Sequence, residues 1–338
     1  MTWRRGIVVA VSLVLTVASF VLLSKISSVD IQLWIKQLRA IKPAGFLLLV
    51  LLTAFHIFLA NWKWRCVDDV LRRPTDSKLP WSISFALTSI GVALGQVLPV
   101  QACMTAARSF GTYLYGSPLR RGAAGTLFEQ GFDVLIVVFL AIASGVTWFC
   151  SGGWLLWMTV AVSMSVTAIL AVGTCLRWMR AAADFYFRRV ARRKVAQGDA
   201  PNLPQLAFLN VRLGRRLMLL SAARSLVQIM MVATAAQAAG IDIPAWKLSA
   251  ALPFVIFATV LAITPGGLGV TELTYAAALN LFGVPLDLGG RWALTNRALV
   301  LCSCFIVAMI AGVLALGERL KAAPKGEVIE NLPLSSGS

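Results

Sequence analysis

The chain has 338 residues, of which 59% are hydrophobic and only 13% charged, about half the charged fraction of roughly 25% found in soluble domains. A soluble oxidoreductase or nucleic-acid enzyme needs a polar exterior that this composition does not supply, and six scattered cysteines in a chain of this size do not make a secreted disulfide scaffold. The net charge of +17 would suggest nucleic acid in a soluble protein. Here the basic residues lie between apolar runs, as in cytoplasmic loops beside anionic headgroups, so the expected partners are membrane lipids and not nucleic acid.

Taken in chain order, the uncharged windows outline a polytopic all-α membrane protein. Residues 6–24, preceded by Trp3, Arg4 and Arg5, read as an uncleaved anchor, because no small-x-small cleavage site follows Leu23. Residues 43–62 begin at Pro43 and end at the interfacial Trp62 and Trp64. Residues 79–107 are uncharged but interrupted by Pro99, with Gly91 and Gly95 before it. Residues 134–176 hold no Asp, Glu, Lys or Arg; one helix of that length would reach about twice the bilayer core, so the chain is expected to turn back at Ser151, Gly152 and Gly153. Residues 225–241 and 298–317 complete about six full crossings. Between them, 248–286 is broken by Pro265, Gly266, Gly267, Gly269 and Glu272.

The stretch 177–216 carries ten arginines and lysines, among them Arg212, Arg215 and Arg216, against Asp184 and Asp199. By the positive-inside rule it is a basic cytoplasmic loop, either a topology determinant or an amphipathic segment lying on anionic lipid. Counting crossings from it places both chain termini inside. Both ends of 79–107 then lie inside, and both ends of 246–290 outside. One broken or re-entrant element thus enters from each face, in corresponding halves, as in inverted-repeat transporters; with these two as full spans the helix count rises from six to eight. Residues 1–320 form one transmembrane domain, and 321–338 a polar, disordered cytoplasmic tail.

The sharpest local signal is the run from Thr264 to Glu272, TPGGLGVTE. Pro265 ends a helix, Gly266, Gly267 and Gly269 permit positive φ and leave N–H groups uncovered, and the next helix points its positive end toward an anion. Glu272, in an uncharged region, either takes part in function or caps its own helix. Glu129 and Asp133 share a helix face at the start of a span and repel unless Arg108, Arg120 or Arg121 pairs with them; the pair is an interfacial salt bridge, a proton relay or a cation site. The sole histidine, His56, suits a buried hydrogen bond to a neighbouring helix rather than a metal. Arg224, Arg291 and Arg297 flank spans near the broken element, where they grip a phosphate or snorkel to the interface. Cys302, Cys304 and the other four cysteines suit packing. No metal, cofactor or catalytic residue set is expected.

The run Pro265 to Glu272, Pro99 followed by Arg108, and Glu129 with Asp133 resemble the flippase-like family known as the lysylphosphatidylglycerol synthase transmembrane region, over about residues 7–317. The chain departs from the family's usual pattern at Gln101, Cys103 and Met104, after Pro99, and at Gln130. The resemblance implies a bacterial inner-membrane protein that moves, or assists the modification of, a polar lipid or lipid-linked intermediate, and some relatives are associated with hopanoids. It implies a headgroup site among Pro99, Arg108, Glu129, Asp133, Pro265, Gly266, Gly267, Gly269 and Glu272, to which Arg297 is added by its position beside the broken element; a second copy or a lipid-biosynthesis protein is a candidate partner. A membrane-embedded enzyme or accessory subunit is the alternative.

Overall fold

The computed structural model describes residues 31–72, 76–195, 210–261 and 265–322. The expected anchor 6–24, the tail beyond 322, the middle of the basic stretch and Thr264 lie outside the described residues. Those described form ten α-helices and no strand: α1 (Ile31–Arg39), α2 (Pro43–Leu71), α3 (Trp81–Leu94), α4 (Val100–Leu114), α5 (Leu119–Phe149), α6 (Trp154–Val195), α7 (Val211–Ala238), α8 (Ala245–Leu261), α9 (Val270–Leu281) and α10 (Leu286–Ala322). Prolines place several starts. Pro43 opens α2, and Pro80, Pro99 and Pro118 stand immediately before α3, α4 and α5, where a missing N–H removes no helical bond.

Five helices are long and apolar enough to cross a membrane: Pro43–Leu71, Leu119–Phe149, Trp154–Trp178, Val211–Ala238 and Leu286–Glu318. The chain is a multi-pass membrane protein. These helices run well past the uncharged windows. The turn between α5 and α6 falls at Ser151, with φ 49°, where the sequence places it. But α5 begins at Leu119, so Glu129 and Asp133 lie ten and more residues inside the helix and not at its start. The basic stretch 177–216, read as a loop, is helical where described: α6 continues to Val195 and α7 begins at Val211.

The two interrupted windows are helical hairpins. Their helices have 14 and 15 residues in the first, 17 and 12 in the second, or roughly 18–26 Å at 1.5 Å per residue against a hydrocarbon core of about 30 Å. In the first, a β-carbon on Gly91 would lie 3.1 Å from Met104 Sδ, and one on Gly111 3.7 Å from Leu79, so α3 and α4 run antiparallel in contact. This hairpin opens where α2 and α10 end: Arg65 donates to the Leu79 carbonyl at 2.8 Å, and Ser82 donates to the Glu318 carboxylate. The second opens at the opposite end of the bundle. There Lys42 N–H bonds the Ala238 carbonyl at 3.0 Å, joining the start of α2 to the end of α7, and the Trp246 and Phe282 rings sit 6.1 Å apart. Buried residues of α2, α7, α8, α9 and α10, including Leu49, Met231, Leu248, Leu279 and Trp292, form the largest core cluster. The second packs α5, α6 and α7 around Ile136, Trp157 and Leu217. Both hairpins are thereby wedged into one bundle, tips inward from opposite ends.

Candidate functional site

Three cations and two carboxylates are gathered in the interior. On α2, Thr53, His56 and Lys63 are three and seven residues apart and so share one face. That face meets the i, i+4 pair Glu129 and Asp133 of α5. Lys63, with no exposed side-chain surface, stands 3.2 Å from Glu129 Oε2, donates to Asp133 Oδ1, and donates to Ser221 Oγ at 3.0 Å. Arg108 of α4, equally buried, donates to Glu129 Oε1 at 2.5 Å and to the Ala60 carbonyl at 3.1 Å, and lies 5.3 Å from the centre of the Trp64 ring. Arg224 of α7 donates to Asp133 Oδ2 and, through Nε, to His56 Nε2 at 3.0 Å. His56 is therefore held by a neighbouring helix, as its isolation in an apolar window suggests. Because Nε2 accepts, the proton sits on Nδ1, which is buried without a hydrogen-bond partner among the described residues.

All five members of this cluster sit where burial alone would exclude a charge; mutual pairing makes them tenable. Three cations against two carboxylates leave one positive charge unbalanced. Asp133 and Arg224 are the accessible members, each with 21% of its side chain exposed, whereas Lys63, Arg108 and Glu129 show 1% or less.

The second construction joins the hairpin tips. In the glycine turn, Gly266, Gly267 and Gly269 have φ of 59°, 68° and 81°, a region costly for residues with a β-carbon. Gly266 also packs so closely on the Gln96 carbonyl that a β-carbon would collide with it. Arg297 of α10 clasps both tips. Its Nη2 donates to the Gln96 carbonyl of the first hairpin and, at 2.7 Å, to the Gly266 carbonyl of the second. Its Nε lies 3.5 Å from Glu272 Oε1. Glu272 Oε2 accepts from Gly269 N–H at 2.7 Å and from the Thr271 hydroxyl at 3.0 Å. Glu272 therefore caps its own helix and pairs with Arg297, both at once. The positive end of α9 is turned toward the chain's own carboxylate.

Between the cluster and the clasp lies a cavity of about 210 Å³. Gln96 and Gln101 come to it from the first hairpin, Thr259 from the second, and His56, Asp133 and Arg224 from the spans. Gln101 Oε1 is buried there without a partner among the described residues. A side chamber of about 80 Å³ shares Gln96 and Thr259 and is bounded by Glu272, Asn296 and Arg297. Of the residues singled out by sequence, Arg108, Glu129 and Asp133 meet in one group, and Gly266, Gly267, Gly269, Glu272 and Arg297 in the other. Pro99 is exposed and starts α4, and Pro265 opens the 3-10 turn, so both act in the breaks and neither enters the ion pairs. Arg121 pairs with Asp68 and Asp76 instead of the α5 carboxylates, Arg120 is exposed, and Arg291 pairs with Asp287 one turn away.

Lys63 is the member that charge-to-charge reading misses, because such a reading ends the window at Trp62. The absence of any helix stop after Trp62 and its register with Thr53 and His56 were the available signals. No group of His, Cys, Asp and Glu suited to a metal occurs among the described residues.

Compared with known families, residues 7–308 match the family model described as lysylphosphatidylglycerol synthase TM region. No curated protein matches the chain.

Proposed function

The chain belongs to the lysylphosphatidylglycerol synthase TM region family, and on that premise we propose that it translocates a polar lipid with an anionic headgroup between leaflets of a bacterial inner membrane, with both termini cytoplasmic. The observation that carries the reading is the meeting of two oppositely oriented hairpin tips beside a cavity lined by Arg224 and Asp133, the accessible edge of a buried ion cluster with one cation in excess. Broken helices that bring polar backbone to bilayer depth are tolerated where they line a cavity, and inverted broken elements are the usual construction of a transport site. In this reading the headgroup enters the cavity, where Arg224 supplies charge and His56 Nδ1–H a neutral donor, while the acyl chains stay in the bilayer. Arg297 keeps the hairpins together behind it.

The carboxylates favour transport over catalysis. A general acid or base needs a proton to exchange with substrate, whereas Glu129 and Glu272 are 1% and 4% exposed and engaged with arginines, and Asp133, which reaches the cavity, is held by both Lys63 and Arg224.

The test is leaflet-specific chemistry. The purified chain is placed in phosphatidylcholine vesicles with a trace of headgroup-labelled phosphatidylglycerol, and a membrane-impermeant reductant bleaches the outer leaflet. Full bleaching with the wild-type chain, slowed by Arg224→Gln, is expected. Half-bleaching with the wild-type chain, together with a lipid missing from a deletion strain, would replace translocation by enzymatic modification.

A further inference from the structure

A second site lies away from the central cavity, at the end of the bundle where α2 finishes and α7 begins. A groove of about 520 Å³ opens there between Trp62, Arg65, Asp69, Trp81, Arg212 and Arg216, with Lys78 on its rim. Its charge is one-sided. The single carboxylate, Asp69, already pairs with Arg72 at 3.6 Å and Lys78 at 3.4 Å. Arg65 is fixed as a wall: it donates to the Leu79 carbonyl at 2.8 Å and to Ser84 Oγ at 3.0 Å, and its guanidinium sits 5.0 Å from the Trp81 ring centre. Arg216 lies 5.6 Å from the Trp62 ring centre. Arg212 and Arg216 are exposed, and neither has a carboxylate within ion-pair distance among the described residues. Guanidinium groups laid on aromatic faces keep their edge N–H donors available, in the planar arrangement that suits a phosphate.

The floor of the groove is apolar. Trp62, Val70 and Trp81 are 37%, 39% and 40% exposed, unusual for side chains beside so many cations. They continue into a band on α2. Phe58 sits 5.8 Å from Trp62 and 5.5 Å from Trp81, Phe55 lies 6.1 Å from Phe58, and beyond it Leu51, Leu48 and Leu47 are all exposed. Successive turns of one transmembrane helix thus lead from bilayer depth to a cationic cup at its end. A soluble anion needs only the cup. The continuous aromatic and aliphatic band is complementary to a molecule that is anionic at one end and apolar along the rest.

We propose that this groove binds an anionic phospholipid of the adjoining leaflet, its phosphate held by Arg212 and Arg216 and one acyl chain laid along Trp62, Trp81 and Phe58. The site is independent of translocation through the central cavity. It is tested by binding alone, so its failure and that of the transport reading are separable.

The experiment is native mass spectrometry of the detergent-solubilised full chain, titrated with dioleoylphosphatidylglycerol, dioleoylphosphatidylcholine or inorganic phosphate. The variants are Arg212→Gln with Arg216→Gln, and Trp62→Ala; Lys36→Gln with Arg120→Gln removes two exposed cations outside the groove. Circular dichroism and gel filtration select variants that fold. The wild-type chain is expected to retain phosphatidylglycerol over phosphatidylcholine, and the groove double variant to bind it about thirtyfold more weakly, as for two cations lost beside an anionic headgroup. The control double variant keeps wild-type affinity, and Trp62→Ala weakens phosphatidylglycerol without changing phosphate binding. Displacement of the lipid by millimolar inorganic phosphate would make the groove a simple anion site and overturn the proposal. So would wild-type lipid affinity in the groove double variant, or an equal loss in the control. If neither groove variant folds, spin-labelled phosphatidylglycerol bound to the wild-type chain decides: broadening from a probe on residue 70 that exceeds that from one on residue 309, an exposed site on α10, is expected, and equal broadening refutes the site.

Discussion

Removing one charge from the buried cluster should destabilise the fold to very different extents depending on its sign. In Glu129→Gln the shape is kept, but Arg108 loses its only carboxylate. What remains around that fully buried guanidinium is the Ala60 carbonyl at 3.1 Å, Thr88 Oγ1 at 3.5 Å and the Trp64 ring. Lys63 would still have Asp133, and the group would carry two unbalanced positive charges in the interior. Breaking a buried pair from one side costs about 3–5 kcal/mol, because the survivor is left desolvated and unpaired. In Lys63→Met, by contrast, Glu129 keeps Arg108 and Asp133 keeps Arg224. No charge is stranded, the balance becomes neutral, and the methionine fills most of the lysine stem. The losses are the bond to Ser221 and the bridging of the two carboxylates, together about 1–2 kcal/mol. Glu129→Gln should therefore be the more destabilised by about 2–3 kcal/mol, even though Lys63 makes more polar contacts with its surroundings. Equilibrium unfolding of both variants in mixed detergent micelles, followed by circular dichroism, measures the difference. Equal destabilisation, or a larger loss in Lys63→Met, would refute the charge accounting and with it the cationic excess assigned to the site.

Arg297→Lys keeps the charge but cannot reach two carbonyls and Glu272 with one ammonium; lipid transfer in vesicles is expected to fall at least tenfold, and full activity would remove the clasp from the mechanism. Gly266→Ala brings a β-carbon onto the Gln96 carbonyl and imposes a left-handed backbone costing about 1–2 kcal/mol on its own, so unfolding should be eased by more than that amount; a change below about 0.5 kcal/mol in the same micelles would contradict the close approach of the tips. Glu272→Gln retains an acceptor for Gly269 N–H but not the charge facing Arg297, and should express and fold normally yet lose lipid movement; normal leaflet distribution at wild-type protein level would leave Glu272 a helix cap. Cys150, exposed on the α5–α6 turn, should react with an impermeant maleimide in spheroplasts, whereas a cysteine replacing Arg120 should not; the reverse pattern would invert the orientation.

Much of the architecture was legible because bilayer length and charge are severe constraints. The 43-residue uncharged window had to fold back, and the consecutive Ser151, Gly152 and Gly153 near its middle were the natural turn. Prolines 99 and 265 marked both breaks. A charge does not end a span in this chain. Lys63, Glu129, Asp133 and Arg224 all sit within long helices because each finds its counter-charge on another helix, and a single sequence shows charges but not their partners. For the same reason the pairing of Arg108 with Glu129 could be narrowed to three arginines but not chosen among them. The anionic pull of the glycine turn was legible in its φ requirement; its occupation by Glu272 depends on a side-chain rotamer that spacing does not determine.

The two breaks and the clasp follow from one physical demand. A hairpin that turns back within a membrane strands backbone carbonyls where no water reaches them, and each unsatisfied group there costs several kcal/mol. Gln96 and Gly266 are two such carbonyls on tips arriving from opposite ends, and a single guanidinium answers both. Its donors, however, are finite. Any motion that separates the tips must give one carbonyl a new partner, and the adjoining cavity, with Gln96 and Thr259 in its wall, is where water or a polar headgroup would supply it. Occupancy of the cavity and parting of the tips are then thermodynamically linked: a headgroup that replaces Arg297 at Gln96 lowers the cost of opening, whereas an apolar chain cannot. In the proposed translocation, a buried polar latch that only a polar ligand can release would discriminate headgroup from hydrocarbon without contacting the lipid's acyl chains at all.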